Sequence, residues 1–134
     1  MPEIDIPQPI IIGCGFLGTY LATLLLDYQQ SPACIVQSHA SHTKLAKDNF
    51  QAIVHDLDRS AERAEFILKD RQIYYLAPPS TSDEQDHRID NFLALCKTHH
   101  PSKIVYISTS GVYGDCQDSW VTEDQPLAPV STRA

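Results

Sequence analysis

The sequence predicts an α/β fold: a doubly wound parallel sheet of about five strands in the order 3-2-1-4-5, with helices on both faces. Three observations carry that expectation. Short β-branched or aromatic runs alternate with longer stretches of helical period along most of the chain. The glycine-rich turn Gly13-Cys14-Gly15-Phe16-Leu17-Gly18 joins the first run to the first helix. The runs stop at glycine, proline or small polar residues, as buried strands do. With 134 residues, 43% of them hydrophobic and 20% charged, the composition is that of a single globular domain and argues against a disordered or low-complexity chain.

The elements follow in order. Ile10, Ile11 and Ile12 form a β-branched run that stops at Gly13, which suits a buried first strand. A strong helix comes next, in which Phe16, Leu17, Tyr20, Leu21, Leu24, Leu25 and Tyr28 make one broad apolar face, and Ser31-Pro32 ends it. Cys34, Ile35 and Val36 read as the second strand, 41–49 as a shorter helix with Leu45 and Ala46 inward, and Ala52, Ile53 and Val54 as the third strand. Ser60 suits the N-cap of a helix that would place Ala61, Ala64, Ile67 and Leu68 on one side. Ile73 to Leu76 is the fourth strand, closed by Ala77, Pro78 and Pro79, because proline neither donates to a ladder nor continues one. Ser82 with Gln85 fits a capping box before a helix whose buried stripe is Ile89, Phe92, Leu93 and Cys96; His99, His100 and Pro101 mark its end. Lys103 to Ser108 is the clearest strand. Residues 115–134 show no countable period and read as an irregular tail after a binding domain at 1–114.

Charge and composition narrow the partners. Ten Lys and Arg stand against 17 Asp and Glu, a formal charge of −7, which removes the basic footprint that a phosphate backbone requires. No apolar run approaches the roughly 20 residues that span a bilayer. The start MPEIDIPQP lacks the basic and apolar regions of a signal peptide, so a cytoplasmic setting is expected. Cys14, Cys34, Cys96 and Cys116 are scattered, with no Cys-x-x-Cys pair, and read as reduced thiols with no metal site.

The glycine turn carries the most specific chemistry. In a G-x-G-x-x-G that follows a strand and opens a helix, Gly13 permits the tight turn, Gly15 lets the backbone approach a pyrophosphate, and Gly18 lets the helix lie close to the sheet. The amides of Cys14 to Gly18 and the helix dipole then attract negative charge. The chain is therefore expected to be Rossmann-like and to bind NAD or NADP. A flavin or S-adenosylmethionine would use a similar loop. The fingerprint's Asp or Glu at the end of the second strand is replaced by Gln37, Ser38, His39 and Ala40. Ser38 or His39 could hydrogen-bond a 2′-phosphate, which leaves NADP open beside NAD, and a polar loop without cofactor contact is the other reading. Asp56 and Leu57 either flank the adenine or begin a loop. A sheet of this kind binds at the carboxyl ends of its strands, which gathers Gly13–Gly18, Leu76, Ala77, Pro78 and Ser108 around one crevice.

The stretch Tyr106-Ile107-Ser108-Thr109-Ser110-Gly111-Val112-Tyr113-Gly114 resembles the extended short-chain dehydrogenase/reductase family, which includes the NAD-dependent sugar epimerases and dehydratases. The glycine turn, Leu76-Ala77-Pro78, the Ser-Thr pair and Val112-Tyr113-Gly114 fall in that family's order over almost the whole chain, and Asp115 with Trp120-Val121-Thr122-Glu123 is similar to an atypical branch. The resemblance implies a nucleotide-sugar or similar substrate with a reacting hydroxyl or carbonyl, and makes Thr109 the catalytic hydroxyl; satisfying loop amides is its other use. Tyr113 belongs to the turn. The family's Tyr-x-x-x-Lys is absent, and the tyrosine would align at or just past Ser131 to Ala134, with Arg133 a candidate for its position. Ser110 and Gly111 stand where the dehydratase branch carries acidic residues. The resemblance thus implies the N-terminal half of such an enzyme, inactive alone; a catalytically silent nucleotide-binding or interaction module is the alternative. With no sixth strand, the fifth is an open edge, and self-association through Lys103 to Ser108 is expected.

Overall fold

A computed structural model describes residues 7–59, 64, 66–80 and 85–134. The element order is β1 (Ile10–Ile12), α1 (Phe16–Asp27), β2 (Ala33–Val36), α2 (His39–Lys47), β3 (Gln51–Val54), β4 (Gln72–Tyr75), α3 (His87–His99) and β5 (Lys103–Tyr106), followed by a 3-10 turn at Ser110–Tyr113. The five strands form one parallel sheet in the order β3-β2-β1-β4-β5, as expected. β1 lies at the centre, with Ile11 in register with Cys34 on one side and Tyr74 on the other.

Strand alternation divides the core into two layers. Ile10, Ile12, Ile35, Ile73 and Tyr75 face Phe92 and Leu95 of α3, together with Leu57, Phe66 and Leu68. On the other face Ile11, Cys34 and Val36 pack against Ala22 and Leu25 of α1 and Leu45 of α2. Being covered on both sides, β1 is uniformly apolar and wholly buried.

The docking of α1 corrects the expected face. Gly18, Ala22 and Leu25 are buried, with Leu21 partly so, whereas Phe16, Leu17, Tyr20, Leu24 and Tyr28 are exposed. The physical reason is the close approach at Gly18, where a Cβ would stand 3.1 Å from the Gly13 carbonyl oxygen and 3.3 Å from a methyl of Ile11. Contact through the smallest residues fixes the rotation of the helix and turns the larger apolar ones outward.

Between β3 and β4, residues 60–63 and 65, including the expected N-cap Ser60, lie outside the described residues. The described remainder is not helical. Phe66 and Leu68 are buried while Ile67 is 61% exposed, so this segment enters the core with the period of an extended chain. Among the described residues there are three α-helices where four were expected.

Ser82 of the expected capping box is likewise outside the described residues. Asp86 caps α3, its Oδ1 accepting from the amides of Arg88 and Ile89 at 3.2 and 3.4 Å. Leu95 replaces Leu93 in the inward stripe, since Leu93 is exposed. α2 begins two residues early because Ser38 caps it, and Ala46 faces outward.

The tail is irregular but anchored: the Ala128 amide donates to the Val112 carbonyl at 2.9 Å. Among the described residues β5 pairs only with β4, leaving Ile104, Tyr106 and Ile107 exposed at the sheet margin. All four cysteines are free thiols, and no cluster of metal-ligating side chains occurs among the described residues. No helix among them is long and apolar enough to cross a membrane.

Candidate functional site

The crevice opens at the carboxyl ends of the strands, where β1 turns into α1. Gly13 holds φ at 87°, and a Cβ there would stand 2.5 Å from the Ala77 amide nitrogen. Only glycine accepts both demands. The amides of Gly13 and Cys14 donate to the Ile35 carbonyl at 3.1 and 3.4 Å, which ties the loop to the end of β2.

Gly15 is the N-cap of α1 and differs from its two neighbours. Among the described residues a Cβ at this position would meet nothing within 4 Å, so packing against them does not require glycine here. Its backbone lies at a helix N-terminus whose first turn carries no acidic residue. The orphan first-turn amides and the positive end of the helix dipole make that space suitable for an anion. Phe16 is almost fully exposed and Leu17 half-exposed at the same turn. Cys14 is buried beneath it. The Cys14 thiol is lowered from its ordinary value, chiefly by its hydrogen bond with Cys34, and the Cys34 thiol is raised by that bond and by burial.

The adenosine end of such a crevice lies near the close of β2 and β3, and here the sequence reading missed a network. Gln37 Nε2 donates to Asp56 Oδ1 at 3.1 Å and to Asp58 Oδ2 at 2.8 Å. Arg88 grips Asp58 with two hydrogen bonds, Nε to Oδ1 at 2.8 Å and Nη2 to Oδ2 at 2.6 Å, and donates through Nη1 to the Pro78 carbonyl at 2.7 Å. Asn91 Nδ2 reaches the carbonyls of Leu57 and Arg59 at 2.7 and 3.1 Å, fixing the loop to α3. The Arg88 guanidinium holds the Asp58 carboxyl below its ordinary value, and Asp58 raises Arg88 in return. Nothing in the sequence joins Arg88 to Asp58, 30 positions away. The one signal available was an arginine in the first turn of a helix, where the dipole disfavours it.

A cavity of about 120 Å³ lies among Gly13, Val36, Gln37, Leu57, Pro78 and Arg88. A larger one of about 880 Å³ continues along Leu76, Ala77, Pro78, Ser108 and Thr109 to Arg133. The expected residues Gly13, Leu57, Leu76, Ala77, Pro78, Ser108 and Thr109 therefore line two adjacent cavities. Cys14 to Gly18, Ser38, His39 and Asp56 line neither. Ser38 Oγ accepts from the Ser41 amide at 3.2 Å and donates to Ser41 Oγ at 3.1 Å, so this hydroxyl serves the start of α2. Thr109 Oγ1 accepts from the Gly111 amide at 3.2 Å, which leaves its proton able to donate.

The sequence model of the NAD dependent epimerase/dehydratase family matches residues 10–133. No curated protein matches the chain. Among solved structures, a UDP-galactose 4-epimerase is similar with a TM-score of 0.76 at 19% identity, over 94% of this chain and 46% of that one. The NAD dependent-NDP-hexosamine 5,6-dehydratase TunA, involved in tunicamycin biosynthesis, gives 0.71 at 25% identity, over 94% and 45%. The UDP-Glc/GlcNAc 4-epimerase from Campylobacter jejuni gives 0.70 at 21% identity, over 94% and 44%. This chain spans a little under half the length of these three proteins.

Proposed function

The chain belongs to the NAD dependent epimerase/dehydratase family, and from that premise we propose that it is the NAD(P)-binding part of an oxidoreductase acting on a nucleotide-sugar or a similar hydroxyl or carbonyl substrate. NAD(P) binding is the property of this family and fold. The observation that carries the reading is the space at Gly15, which the fold leaves free at the N-terminus of α1. In this reading Gly13 and Gly18 shape the loop, and the amides of Cys14 to Gly18 receive the pyrophosphate. Asp56 and Leu57 border the adenine, and Leu76, Ala77, Pro78 and Ser108 carry the crevice onward.

The cofactor, when bound, supplies hydride acceptance and donation. Thr109 orients the substrate oxygen, donating its proton while its own oxygen accepts from Gly111. Residues 1–134 contain no Tyr-x-x-x-Lys to carry the proton that accompanies hydride transfer. These residues by themselves therefore bind cofactor without turnover, with 1–114 forming the binding domain and 115–134 beginning the substrate half. The four free thiols suit a reducing, cytoplasmic setting. The open margin at β5 supports association with a second chain.

A second reading, a catalytically silent nucleotide-binding module, is favoured by Arg133, which lines the crevice in the region where the tyrosine would align. Calorimetric titration with NAD(H) and NADP(H) tests the shared core of both readings. Saturable binding that Gly15→Val abolishes, with an unchanged unfolding midpoint, is the expected result. Absence of binding to either dinucleotide sinks both. Hydride transfer by this chain alone, lost in Thr109→Ala, excludes the silent module and also overturns the absence of turnover in the first reading.

A further inference from the structure

Cys14 lies in the glycine turn and Cys34 on β2, yet their side chains meet on one face of the sheet. Ile11 is in register with Cys34, and a Cβ on Gly18 would stand 3.3 Å both from the Cys14 sulfur and from a methyl of Ile11. Both thiols belong to the core layer beneath α1 and are hydrogen-bonded to each other. We propose that hydrogen peroxide joins Cys14 and Cys34 in a disulfide that displaces the glycine turn and weakens dinucleotide binding. The proposal rests on the dinucleotide-binding reading above.

The two residues differ in their freedom to move. Cys34 is wholly buried and held on both sides, beside Ile11 of β1 and Ala52 of β3. Cys14 lies in a loop, where its amide makes one bond of 3.4 Å to the Ile35 carbonyl. A disulfide holds its sulfurs about 2.05 Å apart, closer than hydrogen-bonded thiols stand. The turn rather than the strand therefore closes that distance. Gly15 follows Cys14 directly, so the amides of the turn leave the positions in which they would receive a pyrophosphate.

The chemistry suits this pair. Cys14 precedes the N-terminus of α1, a setting that favours a thiolate, and the hydrogen bond with Cys34 acts in the same direction. Of the two, Cys14 alone touches solvent, at 7% exposure. Its thiolate attacks one oxygen of hydrogen peroxide, the O–O bond breaks, and the released hydroxide takes up the Cys14 proton and leaves as water. The Cys34 sulfur then displaces the hydroxyl of the Cys14 sulfenic acid, the S–S bond forms, and the Cys34 proton departs with that hydroxyl as a second water. The thiols lose two electrons and the peroxide gains them.

The other two thiols are set apart among the described residues. Cys96 packs on the α3 side of the sheet, and the Cys116 thiol donates to the Tyr113 carbonyl at 3.6 Å.

The test joins peptide mapping by mass spectrometry to calorimetric titration of the full chain with NAD and with NADP. Peroxide-treated wild type is expected to yield a Cys14–Cys34 cross-linked peptide. It should bind dinucleotide at least about tenfold more weakly, a usual size for coupling between two sites, and dithiothreitol should restore the affinity. Cys34→Ala should bind as the reduced wild type does and keep that affinity after one equivalent of peroxide; Cys34→Ser serves if circular dichroism shows the alanine variant misfolded. Absence of the cross-linked peptide, an unchanged affinity in the cross-linked protein, or an equal loss in the folded Cys34 variant overturns the proposal and leaves dinucleotide binding standing. Failure of the reduced chain to bind either dinucleotide overturns the functional reading, and the proposal with it, whatever the mapping shows.

Discussion

Gly13 and Ala77 approach so closely at the head of the crevice that a Cβ on Gly13 would stand 2.5 Å from the Ala77 amide nitrogen. The contact joins the end of β1 to the end of β4, and backbone on the Ala77 side cannot swing away as a flexible side chain could. Gly13→Ala should therefore destabilise the fold by at least about 2 kcal/mol, combining left-handed strain with overpacking. Urea unfolding monitored by circular dichroism checks this; a loss below about 0.5 kcal/mol would contradict the tight approach.

The Asp58–Arg88 pair predicts a direction of pH dependence. Asp58 has its folded carboxyl below the ordinary 3.8, first through the Arg88 hydrogen bonds. The stability it contributes is fully present above the unfolded value and is lost as pH falls through the folded one. The unfolding midpoint should thus drop on acidification below about pH 4, and Asp58→Ala should show a shallower drop. Because the pair is partly exposed to solvent, its removal should cost only about 1 kcal/mol at pH 7.

Tyr75 and Phe92 pack with ring centroids 4.7 Å apart, yet the Tyr75 hydroxyl is buried with no hydrogen-bond partner among the described residues. Burial is the first cause of its raised pKa. Deleting a buried hydroxyl that makes no hydrogen bond removes a desolvation cost. Tyr75→Phe is expected to leave stability unchanged or raise it slightly, whereas Phe92→Ala should cost about 3–5 kcal/mol. Denaturant midpoints for the two variants decide the matter, and a loss above about 1 kcal/mol in Tyr75→Phe would reveal a partner for the hydroxyl.

The margin at β5 leads to a measurement in the ultracentrifuge. Sedimentation velocity should show association that increases with concentration, and Ile104→Lys, a charge on the exposed margin, should weaken it. A monomer at high concentration would rule out pairing through this strand.

The parallel sheet, its strand order and the glycine loop were legible because they depend on local patterns: β-branched runs, and glycines at fixed spacing before a helix. What the sequence concealed depends on approach distances and on partners far apart along the chain. Periodicity alone counted Tyr20 and Tyr28 inward, but close contact at Gly18 rotates α1 and exposes both. The stretch with Ile67 and Leu68 has a helical composition, while Phe66 and Leu68 enter the core on alternate residues. The carboxylates beside Gln37 come from another loop, so the missing acidic residue on β2 was a poor guide to the charge at that corner.

Ile10, Ile11 and Ile12 send their side chains to opposite layers of the core, and the two buried clusters share no residue. Free energies of substitution on the two sides should consequently be close to additive, since the two clusters are separated by the backbone of the sheet. Repacking beneath α3 can be tolerated without altering the seat of α1. The molecule can drift in sequence on one flank while its glycine turn keeps its position.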